Sequence, residues 1–505
     1  MEELKTIYDL VARAAQKWPG KVHLREKAGK EIIDKTYSDL FTDCRKVASF
    51  LKPDAHAGLI GPSSIAYITC LLGTMMHGNI AVPIDPMLTP EEIIDELNRA
   101  DVTVLFYDAR LSKLIPVLKQ ALPGIQDYVC FSETEDTNCL KHILETCEPA
   151  APAEINPEQT ACILYTSGTT GVSKGVMLSH GNLIDNAMCC DDEGDDSSIM
   201  LSVLPLHHAY CLTCDLLLSL RYGVTLCLND SMMHIPQNIR LFRPTAMLVV
   251  PLIAETLYRR IQAAVKATPG LTIKEAGRAL FGDQLTVLFC GGAYLPPEIT
   301  EAYKEMGIPL TQGYGMTECS PRISSSSLKD PSLGLDVGRV VKGCKVEIRD
   351  GEIIVKSPSV MQGYYKNEAA TKEMFTDDGW LKTGDLGYIE DERIYITGRK
   401  KNLIILSNGE NISPEQLENY YAGADWLQEI LVYTEDGKIT AEAYPYPEYR
   451  EAAEELFRKT TDEINRKVPP PRRITRLRLR DKEFDKTSSR KIRRQQKGEK
   501  GRLLP

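Results

Sequence analysis

The chain has 505 residues, of which 43% are hydrophobic and 26% are charged, and its formal net charge is −10. One hydrophobic core rarely supports a chain of this length, so we expect a soluble globular protein of two or three domains. The amino terminus has no basic segment before an apolar stretch, and the most apolar run, residues 70–84, is broken by glycine, histidine, asparagine and proline. We therefore expect neither a secretory signal nor a membrane span.

The cysteines and the charge distribution indicate the expected cellular compartment and the possible binding partners. Fourteen cysteines without a regular framework indicate reduced, mostly buried thiols in a cytoplasmic protein. From Arg466 onward there are 16 Lys and Arg residues against 4 Asp and Glu residues, a local balance of +12 that leaves about −22 for the remainder. Such a basic segment can bind nucleic acid or a membrane surface, attract a polyphosphate substrate, or simply be solvated.

Apolar spacing predicts the elements of the first 300 residues. Spacings of three and four residues predict amphipathic helices at residues 6–17 and 38–51. Strand-like runs follow, with helices between them and one helix opening near Thr89; the runs are 57–59, 81–83, 102–107, 161–165, 224–227, 246–250 and 285–290. This alternation indicates parallel, doubly wound sheets that are covered on both faces.

The pattern changes after about residue 334. Short alternating runs at 345–349, 351–356 and 393–396, with turn signals at 350–351 and 378–379, predict a small antiparallel sheet or barrel. The last 105 or so residues again read as mixed α/β. The fold class is therefore α/β, with a large amino-terminal domain of doubly wound sheets plus a small β-barrel at residues 1–398, and a small α/β domain at 399–505.

The strongest local signal is a loop of glycines and hydroxyls directly after the run 161–165. It reads Thr166-Ser167-Gly168-Thr169-Thr170-Gly171-Val172-Ser173-Lys174-Gly175. Its glycines permit tight turns that expose N–H groups, and its hydroxyls and ammonium add donors, so the composition fits a polyanion such as phosphate. The spacing between Gly171 and Lys174 is not that of a Walker A loop. Taken alone, such a stretch is more often a flexible turn.

Four further motifs follow this loop in order. They are Gly313-Tyr314-Gly315-Met316-Thr317-Glu318, Trp380-Leu381-Lys382-Thr383-Gly384-Asp385, Gly398-Arg399-Lys400-Lys401 and Lys486-Thr487-Ser488-Ser489-Arg490-Lys491-Ile492. In this order and spacing, over about residues 5–497, the chain closely resembles the adenylate-forming superfamily of acyl-CoA synthetases, peptide-synthetase adenylation domains and luciferases. The resemblance implies an enzyme that uses ATP to convert a carboxylic acid into an acyl-adenylate, releases pyrophosphate, and then transfers the acyl group to a thiol.

The resemblance also implies where the phosphates and the metal lie. The β- and γ-phosphates would be held by Thr166, Ser167, Gly168, Thr169, Thr170, Gly171 and Lys174. Thr317 would donate to the α-phosphate, and Glu318 would bind Mg²⁺ with help from Thr166, because hard oxygen ligands suit this hard cation. The alternative for Thr317-Glu318 is a helix amino-terminal cap. Ser173 stands where the family commonly has proline, which removes a restraint on φ but no hydrogen-bond donor.

The adenosine part would contact the later motifs. Tyr314, between Gly313 and Gly315, would stack on adenine, with Gly292 and Ala293 passing close by. Asp385 would accept the two ribose hydroxyls, since a carboxylate has two acceptor oxygens. Arg399 would reach the ribose or the α-phosphate. Alternatively, Asp385 caps a turn and Arg399 is a surface residue.

Lys491 and His208 would act on the reacting carboxylate. The Lys491 ammonium is a compact charge that can contact the carboxylate and the α-phosphate together and offset their repulsion. Arg490 stands where the family usually has glycine. His208, in the stretch Leu204–Cys214, would contact the carboxylate at the acyl pocket. Zinc is disfavoured there, because Cys211 and Cys214 have no second cysteine pair at zinc-finger spacing.

The resemblance also implies that a mobile carboxyl-terminal domain rotates about Lys401 between the two half-reactions. This rotation would bring a thiol channel at residues 407–414, including Gly409, to the adenylate. The leading interpretation is an AMP-forming ligase for a medium- or long-chain fatty acid, with ATP, Mg²⁺ and coenzyme A. The alternative is an enzyme that loads an acyl, aryl or aminoacyl group onto the phosphopantetheine of an acyl carrier protein. We expect no nucleic-acid partner and at most peripheral membrane contact.

Overall fold

The structure, a computed structural model, describes residues 4–132, 138–166, 173–190, 194–332, 335–405, 411–486, 492, 494 and 500–504. Several residues predicted to bind substrates lie outside these ranges: Ser167, Gly168, Thr169, Thr170, Gly171, Gly409 and Lys491.

The described strands divide among four sheets. Numbered in chain order, they are β1 Val22–Ala28, β2 Glu31–Thr36, β3 His56–Ile60, β4 Ile80–Ile84, β5 Val104–Tyr107, β6 Asp127–Cys130, β7 Thr160–Thr166, β8 Lys174–Ser179, β9 Ile199–Ser202, β10 Thr225–Leu228, β11 Ala246–Val249, β12 Val287–Gly291, β13 Leu310–Gly315, β14 Arg322–Ser325, β15 Asp336–Val340, β16 Lys345–Arg349, β17 Glu352–Lys356, β18 Gly363–Tyr364, β19 Leu381–Glu390, β20 Arg393–Arg399, β21 Ile404–Ile405, β22 Asn411–Ile412, β23 Leu427–Glu435, β24 Lys438–Pro445, β25 Arg476–Leu479 and β26 Arg502–Leu503.

The helices mostly connect these strands. They are α1 Ile7–Lys17, α2 Tyr37–Phe50, α3 Ile65–Met75, α4 Pro90–Arg99, α5 Ile115–Ala121, α6 Leu140–Thr146, α7 His180–Met188, α8 Ala209–Cys211, α9 Leu218–Tyr222, α10 Ile235–Phe242, α11 Pro251–Ala267, α12 Ile273–Phe281, α13 Pro297–Glu305, α14 Glu368–Met374, α15 Pro414–Asn419 and α16 Ala453–Lys467. A π-helical segment, Leu212–Leu217, joins α8 to α9 without a break.

Two large sheets form the amino-terminal part. The seven-stranded sheet has the order β18-β8-β7-β4-β3-β5-β6, with β3 to β7 parallel. The thirteen-stranded sheet has the order β16-β17-β19-β20-β15-β14-β13-β12-β11-β9-β10-β1-β2. Its strands from β13 to β1 are parallel. The predicted doubly wound parallel sheets are therefore confirmed.

The predicted antiparallel region after residue 334 is also present. Strands β15, β16, β17, β19 and β20 pair antiparallel. They are joined edge to edge with the large sheet, because β14 turns back along β13 and satisfies the hydrogen-bonding groups of its outer edge. This continuity places Tyr314 on β13 in the same sheet as Asp385 on β19.

Local sequence explains where the predicted helices begin. Thr6 caps α1 and Thr89 caps α4, and in each case the side chain of the third helical residue, Asp9 or Glu92, bonds back to the cap. Such reciprocal caps satisfy backbone N–H groups that have no partner inside the helix. Pro90 occupies the first turn of α4, where its missing N–H costs nothing.

The carboxyl-terminal part has its own sheet and core. Strands β23 to β26 form a four-stranded sheet, and a separate cluster of buried apolar residues extends from Ile404 to Leu504. Basic side chains on β25 and just after it pair with acidic ones on β23 and β24: Arg478 lies 2.9 Å from Glu435, and Arg480, which follows β25, lies 2.9 Å from Glu442. These pairs neutralise part of the basic charge seen in the sequence.

No helix in the described ranges combines the length and the apolar character that a membrane crossing requires.

Candidate active site

A cavity of about 450 Å³, here called the tunnel, lies between the parallel half of the thirteen-stranded sheet and the helical segment 209–222. Gly291, Gly292 and Tyr314 line one end, where the parallel strands terminate. Thr286 and the exposed Asp283 line the other end, just before β12 begins. At the usual rise of a strand, the distance from Thr286 to Gly292 is roughly 20 Å. The tunnel is therefore long and runs along the strands.

The period of two along each strand explains why the tunnel has a continuous wall. Ala246 and Leu248 on β11, and Val287 and Phe289 on β12, face the tunnel. The residues between them, such as Met247, pack on the opposite face in a core built with α10 to α13. Because alternate side chains of a strand point to opposite faces, the same strands supply the tunnel wall and the core.

The helical cover uses a matching stripe. Tyr210, Cys214, Leu218 and Tyr222 line the tunnel at intervals of four residues. These positions span the π-helical segment, and such segments recur at functional sites because they shift the face that a helix presents. Cys214 thus lines the predicted acyl pocket, whereas Cys211 is buried in the core beside it.

Glycine is required where the tunnel meets the predicted adenine motif. A Cβ atom on Gly291 would lie 3.2 Å from both the Gly313 carbonyl oxygen and the Tyr210 ring. On Gly315 it would lie 1.9 Å from the Pro321 carbonyl oxygen. Any side chain at these positions would displace backbone or narrow the junction, so the glycines keep this end of the tunnel open.

Tyr314, Asp385 and Arg399 are brought together at this end of the tunnel. The Tyr314 hydroxyl donates to Asp385 Oδ2 at 2.8 Å, and Arg399 Nε lies 2.7 Å from Asp385 Oδ1. Asp385 and Arg399 are directly opposite each other on β19 and β20. Burial, with the Asp385 charge beside it, raises the pKa of Tyr314 well above its ordinary value, so its hydroxyl remains a donor. Three residues predicted from separate motifs therefore form one polar cluster.

Glu318, Tyr364 and Lys174 form a second polar group. Glu318 is 8% exposed and lies in the short turn Thr317–Cys319, and its Oε1 accepts from the Tyr364 hydroxyl at 2.8 Å. The Lys174 ammonium lies 4.9 Å from the centre of the Tyr364 ring. Thr166 and Lys174 are paired residues of β7 and β8. The predicted metal ligand thus lies near the base of the predicted phosphate loop, with Tyr364 between them.

Tyr364 was not among the predicted site residues. Its only signal in the sequence is the run Gly363-Tyr364-Tyr365, about 190 residues after the phosphate loop. The two segments meet because β18 pairs with β8, which places Tyr364 opposite Val176.

Thr317 is half-buried and is the first residue of the short turn Thr317–Cys319. The cap position before this turn is occupied by Met316, which makes no side-chain cap, so Thr317 is not a helix cap.

The two histidines lie at the amino end of α8. His208 precedes this helix, and its ring centre is 4.4 Å from that of His207. His207 is buried with its Nε2 3.8 Å from Asp85 Oδ1, and burial lowers its pKa to about 4. Within the described ranges, no three histidine, cysteine or acidic side chains are grouped as a metal ion would require.

The remaining predicted residues occupy varied positions. Gly292 lines the tunnel with a positive φ of 89°, and Ala293 follows it on the exposed surface. Lys401 lies in the turn Lys400–Asn402, where burial and the nearby Arg399 lower its pKa. Lys400 pairs with Glu352 at 2.8 Å.

A buried carboxyl beside the tunnel gives a prediction about pH. Asp215, in the π-helical segment, is 0% exposed; its Oδ2 accepts from Ser202, and its Oδ1 has no hydrogen-bond partner in the described part of the chain. Burial raises its pKa to about 7. Because the unfolded carboxyl ionises near pH 4, its contribution to stability is fully present below that pH and is lost as pH rises to about 7.

As pH rises from about 4 to 7, the free energy of unfolding of Asp215→Asn is therefore expected to fall less than that of the original protein. The difference in free energy of unfolding should level off above pH 7, at up to about 4 kcal/mol in favour of the variant. Denaturant unfolding across this range measures it. The exposed Asp377→Asn serves as the control and should leave the profile unchanged. A constant difference at every pH would mean that the Asp215 carboxyl ionises with the same pKa in the folded and the unfolded protein.

Comparisons with known proteins identify the family and the fold of the chain. A family described as AMP-binding enzyme matches residues 11–365, and the chain belongs to this family. The peroxisomal long chain acyl-CoA synthetase 6 of Arabidopsis thaliana is 34% identical over 325 residues, which is 55% of this chain and 46% of that protein. The long-chain-fatty-acid--CoA ligase of Bacillus subtilis (strain 168) is 28% identical over 484 residues, 85% of this chain and 82% of that protein.

The chain spans about half the length of two Arabidopsis thaliana relatives that it matches. Among solved structures, an anthranilate CoA ligase in complex with anthranoyl-AMP superposes with a TM-score of 0.84, 20% identity, and coverage of 96% of this chain and 95% of that one. The fold is that of the adenylate-forming enzymes.

Proposed function

We propose that the protein uses ATP to activate a medium- or long-chain fatty acid as its acyl-adenylate, and transfers the acyl group to the thiol of coenzyme A. The observation that carries the proposal is the tunnel, which is mostly apolar and ends at Tyr314 in the predicted nucleotide site. A pocket of this kind buries the apolar body of a ligand and orients it through a few polar groups. An extended acyl chain in the tunnel would present its carboxylate at Gly291 and Tyr314.

The residues present fit the proposed substrates. Asp385, oriented by Tyr314 and Arg399, would bind the ribose, because a carboxylate can accept up to four hydrogen bonds. Glu318 and Thr166 offer hard oxygen donors for Mg²⁺, which usually takes one or two protein ligands beside phosphate and water. When bound, Mg²⁺ would offset negative charge on the phosphate oxygens.

The chemistry is then mainly positioning and electrostatic stabilisation. The acid and the α-phosphate both carry negative charge, so a fixed cation that contacts both lowers the barrier to attack. We assign this role to Lys491. Lys174 would attract the leaving pyrophosphate, and burial of the acyl chain excludes water that would hydrolyse the adenylate.

The proposed division of the chain follows the cores. Residues 1–398 would form the domain that binds ATP and the acid, and residues 399–505 would form the domain that carries Lys491. The separate core between Ile404 and Leu504 supports this boundary. Reorientation of the second domain around Lys401 would bring residues 407–414 to the adenylate for thiol attack.

The deciding experiment measures pyrophosphate release over a panel of acids, from acetate to palmitate and including benzoate, with and without coenzyme A. Release that is fastest with acids of eight or more carbons and that becomes catalytic with coenzyme A supports the proposal. Release limited to about one equivalent per protein, relieved only by a carrier protein bearing phosphopantetheine, supports the alternative acceptor. Preference for benzoate would contradict the assignment of a fatty acid.

A blocked tunnel should change chain-length preference. Ala246→Phe places a ring against Met200 and Val287, which flank Ala246 on the neighbouring strands. Because this lies near the outer end, kcat/KM for palmitate should fall by about 100-fold, as steric exclusion costs a few kcal/mol. The value for hexanoate, which need not reach residue 246, should change by less than about threefold. Equal losses for both acids would mean that the chain does not occupy the tunnel.

A further inference from the structure

The carboxyl end of α4 contacts the base of the phosphate loop. Arg99, the last residue of this helix, donates from Nη1 to the Ser173 carbonyl oxygen at 2.7 Å and from Nη2 to Ser173 Oγ at 2.9 Å. Its Nε donates to Asp95 Oδ2 at 2.8 Å. The planar guanidinium suits this arrangement, because its donors have a rigid geometry and each hydrogen bond restricts the others. Ser173 is thus held at two atoms by one side chain.

The same helix also contacts the strand that enters the loop. The Tyr165 hydroxyl donates to the Glu96 carbonyl oxygen at 3.0 Å, and the Arg99 guanidinium lies 5.1 Å from the centre of the Tyr165 ring. Tyr165 immediately precedes Thr166, and Ser173 immediately precedes Lys174. One turn of α4 therefore contacts both stems of the loop, on either side of residues 167–172.

Glu96 adds a second contact to Ser173. Ser173 is close enough to the Glu96 carboxyl to lower its pKa, and Glu96 is 5% exposed. Burial is the largest cause that raises its pKa, to about 7, with Asp85 and Asp95 adding to the rise and Ser173 and Arg99 opposing it. A buried carboxyl is costly unless it has partners, so these contacts are part of the packed structure and do not belong to a loose surface.

The chemistry of residue 173 explains why such contacts matter. A proline at this position would restrict φ by its ring, whereas serine leaves the backbone free to rotate. Since Lys174 is the next residue, rotation at Ser173 would move the ammonium relative to the phosphates. Electrostatic stabilisation of a transition state depends on groups that are already in place before the reaction.

We propose that Arg99 and Glu96 clamp Ser173 and thereby position Lys174 for ATP. Arg99 is then a positioning residue of the first half-reaction, which acts through Ser173 and touches no substrate. The proposal rests on the proposed function in one respect only, namely that the loop receives ATP. It predicts a specific loss when the clamp is removed and a specific way to restore the lost function.

The experiment compares Arg99→Ala, Ser173→Pro and the double variant. Arg99→Ala should raise the KM for ATP in acid-dependent pyrophosphate exchange by about tenfold, and thioester formation from supplied acyl-adenylate should change by less than about twofold. In the double variant, proline supplies the restraint that Arg99 no longer gives, so the KM should return to within about threefold of the original. A role in general stability would not produce this rescue.

Controls separate the two proposals. Arg110→Ala removes an exposed arginine of the same region, which pairs with Asp108, and should leave the KM for ATP unchanged. Isothermal titration with ATP and Mg²⁺ measures ATP affinity without turnover and so tests the clamp directly. We expect weaker ATP binding for Arg99→Ala. Unchanged ATP binding and KM in Arg99→Ala, or no rescue by Ser173→Pro, would overturn the clamp. Suppose that the original protein binds ATP but that none of the acids supports pyrophosphate exchange. The proposed function then fails, while the clamp is still supported by weaker ATP binding in Arg99→Ala.

Discussion

Glu318→Gln is expected to lower kcat for adenylate formation by about 100-fold and to raise the Mg²⁺ concentration needed for half-maximal rate by about tenfold. The glutamine retains an oxygen that can accept from the Tyr364 hydroxyl, so the buried contact at 2.8 Å is preserved. What disappears is the negative charge that a hard divalent cation requires. Steady-state rates over a range of Mg²⁺ concentrations measure both effects, and unfolding curves should coincide with those of the original protein.

Tyr364→Phe is the matched control. It removes the hydrogen bond to Glu318 while the charge remains, and it retains the ring that Lys174 faces at 4.9 Å. Loss of one hydrogen bond to a charged group should lower the free energy of unfolding by about 1.5–3 kcal/mol at most, and the Mg²⁺ requirement should change little. If both variants needed Mg²⁺ equally, or if Glu318→Gln behaved like the original protein, the metal would be bound elsewhere.

Lys491→Ala is expected to reduce adenylate formation by about 1,000-fold, which is typical when a group that stabilises developing charge is lost. The rate of acyl transfer from supplied acyl-adenylate to coenzyme A should remain within a few-fold of normal, because in the second half-reaction no carboxylate attacks the α-phosphate. Lys491 lies outside the described residues, so this expectation depends on the motif in the sequence. Rapid-quench measurement of each half-reaction distinguishes the two steps.

Lys500→Ala is the control for charge. It removes the same charge from the same basic segment, but Lys500 pairs with Glu435 at 2.7 Å and is half-exposed. Weak long-range attraction should change the KM for ATP by less than about twofold at physiological salt. Equal loss of both half-reactions in Lys491→Ala would contradict its assignment to the first.

Most elements of the fold could be predicted because their signals are local. Thr89, Pro90 and Glu92 mark the start of α4 within four residues, and each parallel strand is a short apolar run between turns. The joining of the antiparallel strands to the large sheet was not predictable in the same way. It depends on the pairing of β15 with β20, which lie far apart in the chain, and the apolar pattern of a strand does not indicate which distant strand it pairs with.

In the candidate site, residues in recognisable motifs were predicted, and residues whose role comes from distant contacts were not. Tyr314, Asp385 and Arg399 were predicted from three motifs, and the structure brings them within hydrogen-bonding distance. Tyr364 and Arg99 were missed, because their importance comes from contacts with Glu318 and Ser173 across long sequence separations. The predicted roles of the loop 167–172 and of Lys491 remain predictions, since these residues lie outside the described ranges.

The tunnel has a thermodynamic consequence. Its wall consists of the same strands whose other face is close-packed, so an empty tunnel amounts to a gap in the middle of a layered core. Protein interiors lose dispersion contacts wherever such a gap exists. Under the proposed function, a fatty acid bound there would complete the packing, and its binding free energy would stabilise the folded state through mass action. The proposed substrate would then serve as a temporary part of the hydrophobic core, and the heat resistance of this half of the molecule would depend on the concentration of fatty acid.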